Sequence, residues 1–336
     1  MLPQLALSLL CCQPTASISG LDEANCGFPA YEDIRFRSIA KAPPKVSSDW
    51  AFMANLQRRF NNVWLPECGG AIVSPRRVLT AAHCFALPEL LDVLRKEGLP
   101  ACQKRVRELA ERRNLSIEAL ATQPLPASHL RVIVGVSNLR ELDGEQLELA
   151  LPHIGKDGRG VYEVAAYQLQ PNWPGLCAPR NASGDLAILR LATSIPSTVY
   201  DAGYVRDICL PKDSLSPVQL TGWLAKGHFI ASAGWGFDPN TGGRHAMLQV
   251  LDGLRLKANC SGAKLLCVEE RASYNLCAGD SGGPLVLREL ASRRATIIGV
   301  LALGTNCRYL SPGPGAEFTN LLDPEYLSWL ISALAL

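Results

Sequence analysis

Most of this chain is built from short aliphatic and β-branched segments that are separated by Gly, Pro and Asn. Clear examples are 71–81, 130–136, 161–169, 185–191 and 296–304. Each segment has the length of a strand and is bounded by turn-forming residues, which is typical of β-sheet proteins rather than helical ones. The pattern therefore predicts an all-β fold.

One stretch departs from this pattern. Between 86 and 122 the apolar residues recur at helical spacing, first at Leu87, Leu90, Leu91 and Leu94, then at Cys102, Val106, Leu109 and Ala110. A stripe of this kind is typical of an amphipathic helix, and the balanced charges between its members indicate a solvated outer face. We expect a helical insertion at about 86–128.

The end of the chain, 324–336, is a second helical candidate. Its apolar residues Tyr326, Leu327, Leu330 and Ile331 are spaced to form one face. We expect this C-terminal helix to dock on the protein, because no run of the chain reaches the roughly 18 apolar residues that cross a bilayer. No association with a membrane is predicted.

Residues 1–19 resemble a signal peptide, since an apolar core from Leu5 to Cys12 is followed by small residues. We therefore expect a secreted, extracellular protein. The 33 basic and 31 acidic residues leave a net charge of only +2. This balance gives a nucleic-acid partner no electrostatic support.

Cysteine usage agrees with secretion. Of twelve cysteines, Cys11 and Cys12 lie in the predicted signal peptide, and the remaining ten suit five disulfides in an oxidising compartment. Asn114, Asn181 and Asn259 each open an Asn-x-Ser sequon, which is consistent with a glycoprotein.

No cofactor or metal site is predicted from the motifs. The sequence has neither a CxxC pair nor an HExxH motif, and its five histidines are scattered. It also has no compact acidic loop of the kind that binds calcium.

The strongest local motif is Gly-Asp-Ser-Gly-Gly-Pro at 279–284. A nucleophilic serine needs an exposed turn, small neighbours that admit a substrate, and N–H groups aimed at the developing oxyanion. Taken alone, the hexapeptide fits a plain glycine-rich turn equally well. It also fits the nucleophile elbow of α/β-hydrolases, but that reading requires a histidine after the serine, and none follows His245.

Two further motifs lie before the serine. His83 stands in Leu-Thr-Ala-Ala-His-Cys, with Cys68 and Cys84 placed to clamp its loop, and Asp185 opens the apolar segment Asp-Leu-Ala-Ile-Leu-Arg-Leu. Together with Ser281, these motifs resemble those of the trypsin-like serine proteases of the chymotrypsin fold (peptidase family S1).

The resemblance implies a mechanism, with peptide bonds of proteins as substrate. Ser281 would attack the substrate carbonyl and form an acyl-enzyme, His83 would move the proton, and Asp185 would orient the imidazole. The backbone N–H groups of Gly279 and Ser281 would stabilise the oxyanion.

The resemblance covers roughly 39–336 apart from the insertion, and includes a Gly-Trp-Gly motif at 234–236. It implies two antiparallel β-barrels, at about 39–205 and 206–322, with the triad in the cleft between them. It also implies disulfides, and elimination leaves one further pair. The pairs are Cys68 with Cys84, Cys277 with Cys307, Cys260 with Cys267, Cys26 with Cys209, and by elimination Cys102 with Cys177.

Members of this family are normally activated by cleavage that frees an N-terminus, whose amine pairs with the aspartate beside the nucleophile. Asp280 is present for that role, so we expect a zymogen with a pro-segment at 20–38. The junction near Ile39 follows Arg35, Arg37 and Ser38 and is atypical. A second interpretation therefore stays open, a secreted but catalytically silent homologue that acts as a binding or regulatory protein.

The substrate pocket also departs from the family. Asn275 stands where trypsins have an aspartate, and 302–304 reads Ala-Leu-Gly, ending at Gly304, where the family has Ser-Trp-Gly. We expect neutral or apolar residues before the scissile bond, although Glu317 is an alternative source of negative charge near the pocket floor. The expected partners are protein or peptide substrates and protein protease inhibitors.

Overall fold

The computed structural model describes the chain in separate stretches, which are 26–28, 48–117, 120, 125–142, 159–178, 184–196, 205–212, 217–238, 241–257, 260–269, 276–304, 307 and 315–335. Several of the predictions lie outside the described residues. These are the signal peptide at 1–19, most of the pro-segment, the junction near Ile39, the sequons at Asn181 and Asn259, and Asn275.

Six strands form a closed antiparallel barrel in the first half of the chain. They are β1 (Met53–Phe60), β2 (Val63–Ser74), β3 (Arg77–Thr80), β4 (Leu130–Val134), β5 (Gly160–Leu169) and β6 (Ala187–Leu191). Their order around the barrel is β1-β2-β3-β6-β5-β4. Asn61 and Asn62 connect β1 to β2 with positive φ angles of 47° and 65°, as a two-residue hairpin turn requires.

Six more strands form an antiparallel sheet in the second half. They are β7 (His228–Gly234), β8 (Gln249–Leu254), β9 (Leu265–Val268), β10 (Pro284–Glu289), β11 (Ala295–Leu303) and β12 (Ala316–Asn320). The order is β8-β7-β10-β11-β12-β9, and an isolated bridge between Leu256 and Val268 joins the two ends of the sheet. The sheet is therefore barrel-like, and the predicted all-β fold class with two barrels is confirmed.

The strands form because their apolar residues have cores to fill. All five residues of β4 are buried, and Ile72, Leu79 and Tyr162 lie in the same large cluster at 0% exposure. A second cluster in the other sheet includes Leu285 and Phe318. Burial of such side chains stabilises the fold by about 1.5–3 kcal/mol each.

The segment 205–212 connects the two sheets and bonds to both. The Ile208 N–H donates to the carbonyl of Ile72 in β2, and the Cys209 N–H donates to that of Ala295 in β11. The segment is therefore hydrogen-bonded to one strand of each sheet.

The predicted helical insertion is present as α1 (Pro88–Glu97) and α2 (Leu99–Arg113). Gly98, with a φ of 85°, separates the two helices, and Asn114 ends α2 in the left-handed conformation and is exposed. A third helix, α3 (Pro217–Ala225), was not predicted, because its apolar run has no polar stripe to reveal a helical period.

The C-terminal helix α4 (Pro324–Ala335) docks on the protein through buried Tyr326, Leu327, Leu330 and Ala333. One member of the predicted face is wrong: Ile331 is 39% exposed, and Ala333 takes its place in the contact. Residues 326, 330 and 333 lie on one face at spacings of four and three, which leaves position 331 to one side. Among the described residues no helix is both long and apolar enough to span a membrane.

Candidate active site

His83 lies in a short 3-10 helix, Ala82–Phe85, that follows β3 directly. A disulfide between Cys68 in β2 and Cys84 holds this helix against the barrel. Thr80, two residues before Ala82, donates its hydroxyl hydrogen to the carbonyl of Gly69 at 2.7 Å. The imidazole is thus carried on a segment that is fixed at both ends.

Asp185 lies just before β6 and binds His83 at two points. Its Oδ2 atom is 2.7 Å from Nδ1 of the imidazole, and its Oδ1 atom accepts the backbone N–H of His83 at 2.8 Å. Both side chains are 13% exposed. Because a carboxylate only accepts hydrogen bonds, this pair assigns the proton to Nδ1 and leaves the lone pair on Nε2.

Ser281 lies in a turn that packs against the segment carrying His83. The Gly69 N–H donates to the Ser281 carbonyl at 2.7 Å, and the Gly282 N–H donates to that of Leu301 in β11 at 2.8 Å. A Cβ at Gly282, where φ is 78°, would stand 2.1 Å from Oγ1 of Thr80. Only glycine permits this approach, so Gly282 is what brings the serine turn up to the histidine segment.

The turn before the serine contains the predicted oxyanion-hole glycine. Gly279 has a φ of 101°, and the guanidinium of Arg244 occupies the space that a side chain at 279 would fill. Three N–H groups of this turn donate hydrogen bonds to backbone carbonyls, namely those of Asp280, Gly282 and Gly283. Within the described part of the chain, the N–H groups of Gly279 and Ser281 have no backbone acceptor.

Asp280 is buried at 6% exposure beneath this turn. Its Oδ1 atom accepts the Gly236 N–H at 2.7 Å and its Oδ2 atom accepts the Cys277 N–H at 2.8 Å. Burial raises the pKa of Asp280 to about 6, while these two bonds and the nearby Arg244 and His245 oppose the rise. Among the described residues, the carboxylate therefore accepts hydrogen bonds from two backbone N–H groups.

The structure describes part of the predicted substrate pocket. A Cβ at Gly304 would stand 2.8 Å from the Leu276 carbonyl oxygen, so the strand end at 302–304 packs closely against the segment at 276–277. Glu317 is 6% exposed, and its Cα faces those of Leu303 and Cys267 across the sheet.

Thr319 makes a contact with Asp185 that the sequence did not predict. Its hydroxyl lies 3.4 Å from the carbonyl oxygen of Asp185, from a strand 134 residues further along the chain. Glu317 shares its strand face, because side chains two residues apart point the same way. No local motif connects Thr319 with Asp185, so only the packing of β12 reveals the contact.

Ten described cysteines form five disulfides. These join Cys26 with Cys209, Cys68 with Cys84, Cys102 with Cys177, Cys260 with Cys267 and Cys277 with Cys307. Cys68, His83 and Cys84 have their ligand-type atoms within 4.8 Å of one another. Their disulfide explains this proximity, and it removes the thiolates that a metal would need.

Comparison with known proteins agrees with this geometry. The family model for trypsin matches residues 40–110 and 152–323. The chain is 27% identical over 282 residues to the trypsin-like protease try-5 of Caenorhabditis elegans, covering 80% of this chain and 77% of that protein. It is 28% identical over 280 residues to the Spaetzle-processing enzyme of Drosophila melanogaster, covering 79% of this chain and 59% of that protein.

Longer relatives match over a smaller part of their length. The chain is 23% identical to clotting factor C of Tachypleus tridentatus over 84% of its own residues, but spans only 24% of that protein. It is 25% identical to tissue-type plasminogen activator of Homo sapiens over 89% of its own residues, and spans 46% of that protein. The matched residues include His83, Asp185 and Ser281, and the chain belongs to the trypsin family of serine proteases.

Proposed function

We propose that this protein is a secreted serine endopeptidase that hydrolyses peptide bonds through an acyl-enzyme and is made as a zymogen. The observation that carries the proposal is the 2.7 Å contact of Asp185 with Nδ1 of His83, on a segment against which the Ser281 turn packs. It supports an oriented base near a serine whose turn contains Gly279 and Gly282 and whose neighbour Asp280 has a buried side chain.

We infer the reaction from the identity of these residues and from the Asp185–His83 contact. Nε2 of His83 takes the proton of the Ser281 hydroxyl as its oxygen attacks the substrate carbonyl, and Asp185 stabilises the imidazolium that forms. The N–H groups of Gly279 and Ser281 donate to the oxyanion. The imidazolium then protonates the leaving amine, and a water molecule hydrolyses the acyl-enzyme by the same steps.

Secretion and zymogen activation rest on separate support. The relatives include clotting factor C and tissue-type plasminogen activator, and five disulfides suit an oxidising compartment. Asp280 is the residue that a freed N-terminal amine would pair with after cleavage near Ile39.

For substrate preference we keep the expectation from the sequence, a neutral or apolar residue before the scissile bond. Asn275 in place of an aspartate and the apolar Leu276 support it. A cleavage profile dominated by Arg or Lys would contradict it and would favour Glu317 as the determining charge.

The experiment is labelling of the secreted protein with a fluorophosphonate probe, before and after limited proteolysis at 35–38. We expect labelling to appear after cleavage and to be absent in Ser281→Ala. If folded and correctly cleaved protein does not react, the protein is instead a silent homologue with a binding or regulatory role.

A further inference from the structure

A cavity of about 350 Å³ lies between the helical insertion and the segment 173–178. We call it the insertion pocket. Its walls are largely apolar, and they include Leu87, Leu90 and Val106 from the insertion and Trp173 and Leu176 from the segment.

The two walls of the insertion pocket are covalently connected. A disulfide joins Cys102 in α2 to Cys177 in the segment, and both cysteines lie in one small apolar cluster with Leu90 and Val106. Trp173 is 7% exposed and so has a defined place in the wall. The pocket is therefore formed before any ligand arrives, which lowers the entropic cost of binding.

The insertion side of the pocket begins beside the histidine. Ala86 and Leu87 line the pocket, and the Ala86 N–H donates to the His83 carbonyl at 3.0 Å. This wall therefore begins three residues after His83 in the sequence, and its first residue is hydrogen-bonded to the backbone of His83.

The opposite side begins beside the aspartate. The Gln170 N–H donates to the Leu186 carbonyl, and a Cβ at Gly184 would stand 3.4 Å from the carbonyl carbon of Asn172. Trp173 follows Asn172, and Gly184 precedes Asp185. One wall therefore begins at the segment that contains His83, and the other begins at the segment that contains Asp185.

We propose that the insertion pocket binds one aliphatic or aromatic side chain of the protein substrate, at a position removed from the scissile bond. This inference rests on the proposed function, because it takes the substrate of Ser281 as the ligand and because both walls contact the segments that carry His83 and Asp185. The pocket volume is at the lower end of the range for ligand sites, which suits one side chain rather than a larger group. Ile117, a lining residue that is 47% exposed, shows that the pocket reaches solvent.

Charge at the rim adds a second element of recognition. Arg107 lines the pocket and is exposed. Its cation attracts an acidic residue beside the apolar one in the substrate, although an exposed pair of this kind contributes little to binding. The apolar contact therefore decides the preference.

The first experiment is a peptide library cleaved by the processed, full-length protein, with the residue before the scissile bond held constant. We expect one position to favour Leu or Phe over Gly or Ser by about 10- to 100-fold in kcat/KM, the effect of burying one such side chain. A profile that is flat at every position other than the one before the scissile bond would overturn the inference.

Two matched variants then assign the preference to this pocket. Gln103→Trp places a large ring on the pocket lining, whereas Lys104→Trp places the same ring on the exposed neighbour of the same helix. We expect Gln103→Trp to reduce cleavage of the apolar peptide to the level of the Gly peptide. We expect Lys104→Trp to retain the wild-type ratio. A Gln103→Trp variant that keeps the full preference would place the subsite elsewhere and contradict the inference.

Fluorophosphonate labelling separates this result from failure of the proposed function. If wild type and Lys104→Trp both label but no apolar preference is found, only the inference is wrong. If neither protein labels, the proposed function fails and the inference fails with it.

Discussion

Asp185 holds His83 at both its side chain and its backbone, with the two carboxylate oxygens 2.7 Å from Nδ1 and 2.8 Å from the backbone nitrogen. One acceptor thus sets the tautomer of the ring and the position of the segment that carries it. The rotamer of the imidazole and the place of its main chain are coupled through a single residue.

The substitution Asp185→Asn should reduce kcat strongly while the protein stays folded. An amide can present its NH₂ group to Nδ1, which then accepts a hydrogen bond and moves the ring proton to Nε2, where it blocks catalysis. In the trypsin template itself this change costs about 10⁴-fold in kcat, and we expect a similar loss in peptide cleavage. Asp92→Asn, on the exposed face of α1, is the matched control and should cleave at the wild-type rate.

The substitution Gly282→Ala should destabilise the serine turn. The left-handed backbone at φ 78° costs a non-glycine residue about 1–2 kcal/mol, and the new methyl group would meet Oγ1 of Thr80 and the Gly69 carbonyl oxygen. We expect a lower free energy of unfolding in denaturant titrations together with loss of fluorophosphonate labelling.

Gly222→Ala is the control for that experiment. Gly222 lies in α3, and its added Cβ would meet nothing within 4 Å. Alanine is favoured over glycine in a helix by about 1 kcal/mol, so this variant should be as stable as wild type or slightly more stable. Equal destabilisation by both alanines would refute the role given to Gly282.

Stability should depend on pH through Asp280. Its pKa in the folded protein is about 6, above the usual 3.8, so the folded state disfavours the charged form. The resulting cost is absent below about pH 3 and is fully present above about pH 7. At 1.36 kcal/mol per pKa unit it amounts to about 3 kcal/mol.

Comparison with Asp280→Asn isolates this cost. The free energy of unfolding of wild type relative to the variant should fall by about 3 kcal/mol as the pH rises from about 3 to about 7. Arg244→Gln should extend the fall to higher pH, because Arg244 lowers the pKa of Asp280. A difference that stays constant between pH 4 and 7 would show that Asp280 does not titrate in this range.

Removing the Cys102–Cys177 disulfide should loosen the insertion and abolish its side-chain preference. The bridge spans 75 residues and ties α2 to the segment 173–178. We expect Cys102→Ser with Cys177→Ser to lose about 2–4 kcal/mol of stability and to expose α2 amides to hydrogen exchange. The matched double variant at Cys260 and Cys267, a bridge over 7 residues, should leave α2 protected.

Local signals were sufficient to predict much of this protein. Strand segments such as 130–136 are recognisable from their apolar residues and flanking turns, and the helices of the insertion are recognisable from the helical spacing of theirs. The motifs around His83, Asp185 and Ser281 indicated the family, because this chemistry needs particular residues with particular neighbours. Such features depend on contacts within a few residues, which a linear sequence displays directly.

Other features depended on contacts that are remote in the chain. Helix α3 has no polar stripe, and Ile331 was assigned to a buried face that Ala333 occupies. The contact of Thr319 with Asp185 joins residues 134 apart. Packing between elements decides these points, and a sequence period records only that a face is buried, not what it is buried against.

The insertion pocket also combines features that are local in the sequence with contacts between distant parts of the chain. The sequence by itself predicted a helical insertion at about 86–128, and once the family resemblance had assigned the other cysteine pairs, Cys102 and Cys177 remained. Only the tertiary structure decided that those helices meet the segment that carries Trp173, because a cavity exists between surfaces from distant parts of the chain. Local residue order specifies the elements and the reactive groups, whereas their closure into one site depends on long-range packing.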